Sequence, residues 1–289
     1  MVKKIVAVIL AAGLLLVAIQ FLPPHIIADN SFRKTDRPLV IAHRGGAGLA
    51  PENTVVAFDN AVALGVDILE FDVHLTKDKQ IVVFHDRTLE RTTNGQGLLV
   101  EKTWSELSAL DAGYYFVDHS GDYPYRGQGV QIPTVRELFS RYADMPMVIE
   151  MKQDDPQLAR QLADLIVEFG LQQQVIVVSF YDGMSNHFRE ASEHTIATAA
   201  GPDEIQMFVA SHLLFLDPLL SPDVHAFQLP VKAGAFSLDG KRLLQNLHRR
   251  NIAIHYWTID EPAEMQRLIE LGADGLITNF PDRMLQLLP

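Results

Sequence analysis

Seven residues able to do chemistry sit at or just past the ends of short apolar runs. His43 and Arg44 follow LVIA, Glu70 and Asp72 lie inside ILEFDVHL, His85 follows IVVF, and Glu150 and Lys152 lie in and after MVIEM. Three carboxylates, two imidazoles and two fixed cations are the parts needed for metal-assisted attack on a phosphate ester: acids for a hard dication, imidazoles for proton transfer, cations for the phosphate charge. In a strand, alternate residues share a face, so the Glu70 and Asp72 carboxylates start about 7 Å apart and can converge on one ion. Without a cation, two acids on the inner face of one strand are costly. Salt bridges alone are the alternative. Glu150, with Lys152 two residues on, repeats the arrangement. All-oxygen ligation favours Mg²⁺ or Ca²⁺ and leaves the choice between them open.

His43 and His85 each end an apolar strand beside these acids, which suits a general acid and base without saying which is which. His74 shares the Glu70 face but lies nearer the turn, as a rim residue. Arg44 offers a planar fork to phosphate oxygens and Lys152 a point charge. The run Gly45-Gly46-Ala47-Gly48 lacks the third glycine of a dinucleotide fingerprint, where Pro51 stands. It is read instead as backbone approaching an anion, with Glu52 and Asn53 adding polar contacts.

These residues need a scaffold that brings strand ends together. Nine candidate strands cover 39–43, 67–75, 81–85, 147–151, 175–180, 195–199, 225–229, 253–259 and 275–279. Only 76–80 separates the second from the third, too short for a parallel crossover, so those two form a hairpin. The other eight are the number that closes a (β/α)8 barrel. Helices are expected over Thr54–Leu64, from Thr134 through Tyr142 with Glu137 completing a capping box, and over Gln157–Phe169, Asp239–Arg250 and Pro262–Leu271. The segment 86–131 is too long for a barrel loop and reads as an inserted subdomain with one short helix capped by Thr103 and Glu106.

The chain of 289 residues, 48% hydrophobic, can bury one large core. A net charge of -12 argues against a nucleic-acid partner, and the absence of cysteine excludes disulfides and thiolate metal sites. The first 24 residues read as a transmembrane anchor or a cleaved signal: Lys3 and Lys4 precede an apolar run, Ile5 to Leu22, broken only by Gln20 and stopped by Pro23-Pro24. The lysines then stay cytoplasmic, which puts residues 38–289 outside the cytoplasmic membrane, tethered or, after cleavage, secreted. Residues 25–37 read as a linker. Oligomeric state has no sequence signal.

His43-Arg44-Gly45, Pro51-Glu52-Asn53-Thr54, Glu70-x-Asp72-Val73, Thr76-Lys77-Asp78, Val83-x-His85-Asp86, Thr93-Asn94-Gly95, Ile132-Pro133-Thr134 and Ile149-Glu150-Met151-Lys152, with Trp257-Thr258 and Ile277-Thr278-x-x-Pro281, together resemble the glycerophosphodiester phosphodiesterase family. The resemblance implies a distorted (β/α)8 TIM barrel with an inserted subdomain, hydrolysing glycerophosphodiesters to glycerol 3-phosphate and an alcohol with one divalent cation. It implies Glu70, Asp72 and Glu150 as metal ligands, His43 and His85 as acid and base, and Arg44, Lys152 and Glu52 as substrate contacts. Lys79 stands where the family often carries a turn glycine, and Asn279 where it often carries an aspartate. The alternatives are a lysophospholipase D of the same fold acting on lysophospholipids, and a non-catalytic module that binds polyol phosphates.

Overall fold

The computed structural model describes residues 2–28, 30–33, 36–181, 183–234 and 236–288. Eight parallel strands form the sheet: β1 (Leu39–Ala42), β2 (Ile68–Leu75), β4 (Met147–Met151), β5 (Val175–Ser179), β6 (Ala197–Thr198), β7 (Ala226–Leu229), β10 (Ala253–Tyr256) and β11 (Gly275–Thr278). Their order is β6-β5-β4-β2-β1-β11-β10-β7. The two end strands meet through one bridge, Ala199 to Ala226, flanked by hydrogen bonds from Ala200 N to Ala226 O and from His225 N to Thr198 O, both 2.8 Å. The barrel is therefore closed almost completely, with a thin seam at β6. Strand β3 (Ile81–Val83) pairs antiparallel with β2, as the short connection requires. A two-strand ribbon, β8 (Lys232–Ala233) and β9 (Phe236–Ser237), follows β7.

Alternation along β2 decides which side chains meet. Leu69, Phe71, Val73 and Leu75 pack outward with the helix-facing core, while Ile68 joins Ile41, Val148, Ile176 and Ile277 inside the barrel. Glu70, Asp72 and His74 continue the inward face toward the carboxyl ends of the strands, where barrel active sites form. Helices α2 (Val55–Leu64), α4 (Val135–Arg141), α5 (Pro156–Glu168), α6 (Met184–Ala191), α7 (Pro202–Leu213), α8 (Lys241–His248), α9 (Pro262–Leu271) and α10 (Pro281–Leu285) alternate with the strands. Thr54 caps α2 by accepting from Ala57 N, Thr134 caps α4 by accepting from Glu137 N, and Gly65 and Gly272 end α2 and α9 in the left-handed conformation. The inserted segment holds the short helix α3 (Trp104–Leu107), with the full Thr103–Glu106 capping box, and a small core of its own. There Leu89, Leu99, Leu107, Val130 and Ile132 pack against Val82 of the hairpin.

Two expectations change. The described residues of 25–37, a stretch read as a linker, pack on the amino-terminal end of the barrel. The Asn30 amide donates to His225 O and Asn251 O at 2.7 Å each, and buried Phe32 joins the barrel interior, its carbonyl 2.9 Å from His255 Nε2. Asp29, Lys34 and Thr35 lie outside the described residues. The amino-terminal helix α1 covers Val2–Ile19, and among the described residues no helix is long and apolar enough to cross a membrane. At 1.5 Å per residue its span is about 27 Å, under the roughly 30 Å of a bilayer core. It stops before Leu22 because Gln20 turns back, donating to Leu16 O and to Phe215 O. The expected transmembrane anchor is therefore not shown by the described residues.

Lys79 carries the positive φ (66°) of the hairpin turn, compensated by a 3.6 Å contact between its exposed side chain and half-buried Asp155. Lys79→Gly is expected to stabilise the fold by about 0.5–1 kcal/mol, since a left-handed residue with a Cβ is strained and an exposed ion pair contributes little. The denaturant midpoint reads this; a fall in the midpoint contradicts it.

Candidate active site

The seven residues singled out by type meet at one mouth of the barrel. Register places Asp72 beside Glu150, and Glu70 lies one inward step below Asp72 on the same strand. One oxygen from each of Glu70, Asp72 and Glu150 lies within 4.8 Å of the others, and all three residues are buried. Lys152 Nζ bridges Glu150 Oε1 at 2.6 Å and Asp72 Oδ1 at 3.2 Å, and Arg44 Nε lies 3.3 Å from Asp72 Oδ2. Two fixed cations thus face three acids. Burial, and next the charge of Asp72, pushes Glu70 and Glu150 well above the usual carboxylate range. Burial opposes ionisation of Asp72 too, but Lys152 and then Arg44 hold it below its ordinary value. Asp72 Oδ1 is buried and accepts no hydrogen bond among the described residues. Three converging carboxylates, two of them kept from ionising readily by burial and by the charge of Asp72, form an all-oxygen set that suits a hard divalent cation.

Arg44 is aimed by the short 3-10 turn His43–Gly45. It adopts φ 52°, its amide donates to Glu70 Oε2 at 2.7 Å, and its guanidinium reaches Glu52 Oε1 at 2.8 Å. Gly45 must be glycine there: with φ 81°, a Cβ would stand 2.8 Å from the Cβ of Ala57. Gly46 and Gly48 do not form the expected anion cradle. A Cβ on Gly46 would crowd Pro281 and one on Gly48 would run into the ring of Phe280, so their role is close packing of the β1 loop on the loop after β11. Asn53, also at positive φ, donates to Asp72 Oδ2 at 2.9 Å and accepts from Asp72 N at 3.3 Å.

The two histidines have different partners. His43 Nδ1 lies 2.7 Å from Asn279 Oδ1, and the Asn279 amide donates to Asp260 Oδ2 at 2.7 Å. Asp260 therefore fixes the amide with its oxygen toward His43, so Nδ1 carries the hydrogen and Nε2 keeps a lone pair. Burial, then Arg44, lowers the His43 pKa. His85 Nδ1 lies 2.6 Å from Asp86 Oδ1; burial lowers its pKa as well, against the pull of Asp72 and Asp86. Arg91 forks onto both Glu52 oxygens at 2.7 Å and reaches Asp86 Oδ2 at 2.5 Å. Burial opposes ionisation of Glu52 and Asp86, yet Arg91 holds both low, Asp86 at about 2. Glu52 thus braces Arg44 from behind and does not line the main cavity. His74 sits below the rim, its Nε2 3.1 Å from His85 O, and burial pushes its pKa down to about 4.

A cavity of about 390 Å³ opens over this cluster, lined by His43, Arg44, Glu70, His85, Glu150 and Lys152 on one side and by Phe180, Tyr181, Gln228 and Trp257 on the other. Buried Gln228 Nε2 and Trp257 Nε1 both lack acceptors among the described residues, which leaves two donors for a ligand. Gln228 carried no sequence signal, and Trp257 stood only within the Trp257-Thr258 motif of the resemblance, with no role given to it.

The sequence profile of the Glycerophosphoryl diester phosphodiesterase family matches residues 43–283. The chain belongs to that family. With it comes the enzyme class, phosphoric diester hydrolase. Among curated relatives, the glycerophosphodiester phosphodiesterase of Caldanaerobacter subterraneus subsp. tengcongensis is 31% identical over 87% of this chain and 98% of its own. The phosphodiesterase domain of the Mycobacterium tuberculosis protein Rv2277c shares the fold, with a TM-score of 0.76, 21% identity, and coverage of 87% of this chain and 100% of that domain. An Oleispira antarctica phosphodiesterase, solved in complex with the product sn-glycerol-3-phosphate, is 25% identical with a TM-score of 0.66, covering 87% of this chain and 96% of its own.

Proposed function

We propose that this chain hydrolyses glycerophosphodiesters to sn-glycerol 3-phosphate and an alcohol, using one divalent cation, Mg²⁺ or Ca²⁺, with His43 and His85 as base and acid. The observation that carries the reading is the convergence of Glu70, Asp72 and Glu150 between two imidazoles and two cations at one cavity. Those three carboxylates would hold the cation, which when bound supplies Lewis-acid stabilisation of a non-bridging phosphate oxygen. Arg44 and Lys152 offset the remaining phosphate charge. Gln228 Nε2 and Trp257 Nε1 donate to the bound glycerol phosphate. His43, neutral and with its free Nε2 toward the cavity, takes the proton of the nucleophile: water, which gives glycerol 3-phosphate directly, or the neighbouring glycerol hydroxyl, which gives a cyclic phosphate that water then opens to glycerol 3-phosphate. His85, whose imidazolium Asp86 stabilises, gives a proton to the leaving alkoxide.

Release of glycerol 3-phosphate from a panel of glycerophosphodiesters tests the reading, and no release from any of them overturns it. Exposed Phe180 and Tyr181 at the mouth are the observation that favours the second reading, a lysophospholipase D. Preference for lysophosphatidylcholine over glycerophosphocholine would select it.

The histidine assignment has its own check. Asn279→Asp places a carboxylate where His43 meets a neutral amide, which raises the His43 pKa. A base must be deprotonated, so the acid limb of the kcat/KM profile should move to higher pH, by about one unit. An unmoved acid limb contradicts His43 as the base.

Lys3, Lys4 and the apolar run behind them are the basis for placing the catalytic domain outside the cytoplasmic membrane. An N-terminal tag kept in washed membranes, or lost from a released soluble protein, supports that location; a tagged protein in the cytoplasm contradicts it.

A further inference from the structure

Beside the catalytic cavity lies a second groove of about 530 Å³ that shares Lys152 and Tyr181 with it. Its walls come from the tip of the β2–β3 hairpin, the start of the inserted subdomain and the loop after β4. A backbone bond from Lys77 N to Lys102 O (2.8 Å) ties the first two together, and one from Leu99 N to Arg87 O (3.0 Å) holds the insert's own wall. We propose that this groove is a subsite for the leaving alcohol, and that it selects diesters whose alcohol is a polyol carrying a second phosphate group. The inference rests on the hydrolytic reading above and names the substrate class for that site.

Three features define the chemistry. First, the groove presents Lys77, Lys79, Arg87 and Lys152 against only Asp154 and Asp155, in a chain whose net charge is -12. Asp155 is already engaged, contacting Lys79 at 3.6 Å and capping α5 by accepting from Gln157 N at 2.9 Å. Arg87 makes no ion pair among the described residues, and Lys77 feels the charge of Glu106 without closing a salt bridge to it. Local positive charge of this kind concentrates an anion and disfavours a cationic head group.

Second, His74 lies at the floor with 1% of its surface exposed. Its Nε2 donates to His85 O, and its Nδ1 is buried without a partner among the described residues. A neutral ring with one nitrogen donating has a lone pair on the other, so the floor offers an acceptor that a hydroxyl can satisfy. Third, the shared wall at Lys152 and Tyr181 makes the groove continuous with the place where the phosphodiester is held. An alcohol leaving from that phosphate has its hydroxyls at His74 and its outer charge at Lys77 and Arg87. Among its lining residues the aliphatic side chains are Leu75, Leu98 and Val100, beside four cations and two carboxylates.

The test compares two substrates differing by one phosphate, glycerophosphoinositol and glycerophosphoinositol 4-phosphate, on the wild-type chain and on the double variants Lys77→Glu/Arg87→Glu and Lys77→Gln/Arg87→Gln. The wild type is expected to show about tenfold higher kcat/KM for the phosphorylated substrate, shrinking as salt is raised. The glutamate pair should bring that ratio to about one or below, and the glutamine pair to an intermediate value, while glycerophosphoinositol turnover is unchanged. A wild-type ratio near one, or a preference that survives both variants, overturns the subsite. Calorimetric binding of inositol 4-phosphate, the alcohol that would leave, separates this from failure of the hydrolytic reading. Binding that the double variants weaken upholds the groove even if neither diester is cleaved, and absence of binding overturns it.

Discussion

Replacing His43 with glutamine is expected to lower kcat for glycerol 3-phosphate release by about 10²-fold to 10⁴-fold, with KM nearly unchanged. The glutamine amide is close in size to the imidazole and can still meet Asn279, so the β1 loop has no reason to rearrange. What it cannot do is accept a proton from the nucleophile. Arg44, Lys152 and the three acids remain, so ground-state binding of the phosphate persists. Steady-state kinetics on a variant whose unfolding midpoint matches the wild type checks this. A loss below about tenfold means that another group is the base.

The second large effect belongs to Asp72→Asn. Asp72 is the hub of the site: Asn53 donates to one oxygen, Arg44 lies 3.3 Å from it, and Lys152 lies 3.2 Å from the other. The amide keeps the shape and removes the charge. The remaining pair, Glu70 and Glu150, is held well above the usual carboxylate range by burial, so deleting the one acid that stays ionised removes much of the attraction for a dication. Cation affinity and kcat/KM should each fall by on the order of 10²-fold or more, since a ligand is lost together with the partner of two buried cations. Calorimetric titration with Mg²⁺ and with Ca²⁺, beside kinetics, reads both. Unchanged affinity means that the cation lies elsewhere.

How much of this was legible in the sequence depends on the range of the signal. The strict alternation of ILEFDVHL gave the inward acids and the outward apolar face, and the five residues after it forced the hairpin. Local capping signals at Thr103 and Thr134 started helices where expected, though at Thr134 only the threonine half of the expected box forms among the described residues. Helix α6 carried no such mark, and α7, which Pro202 and Glu204 open, was not expected because its apolar pattern is weak. One follows Gly183, and the other buries only Phe208 and His212 while exposing Met207 and Leu213, so its apolar stripe is broken. The packing of Asn30 and Phe32 depends on partners more than 190 positions away, which no local pattern encodes.

The site divides the same way. Residue type at strand ends located the acids, the imidazoles and the two cations, because those groups are chemically unusual inside a barrel. Their supports were hidden: Asp260 reaches His43 only through Asn279, and Arg91 joins Glu52 to Asp86 across the insert. The carboxylate of Asp86, next to His85, was the one support a reader had in plain view. Glu52 was placed near the phosphate by its neighbours in sequence, but its oxygens are occupied by Arg44 and Arg91.

Cation dependence of glycerophosphocholine hydrolysis is the most direct test of the central claim. After dialysis against excess chelator, glycerol 3-phosphate release should fall to background and return with Mg²⁺ or Ca²⁺ as one equivalent per chain is taken up. Full activity in excess chelator would contradict a site in which Glu70, Asp72 and Glu150 act through a bound dication.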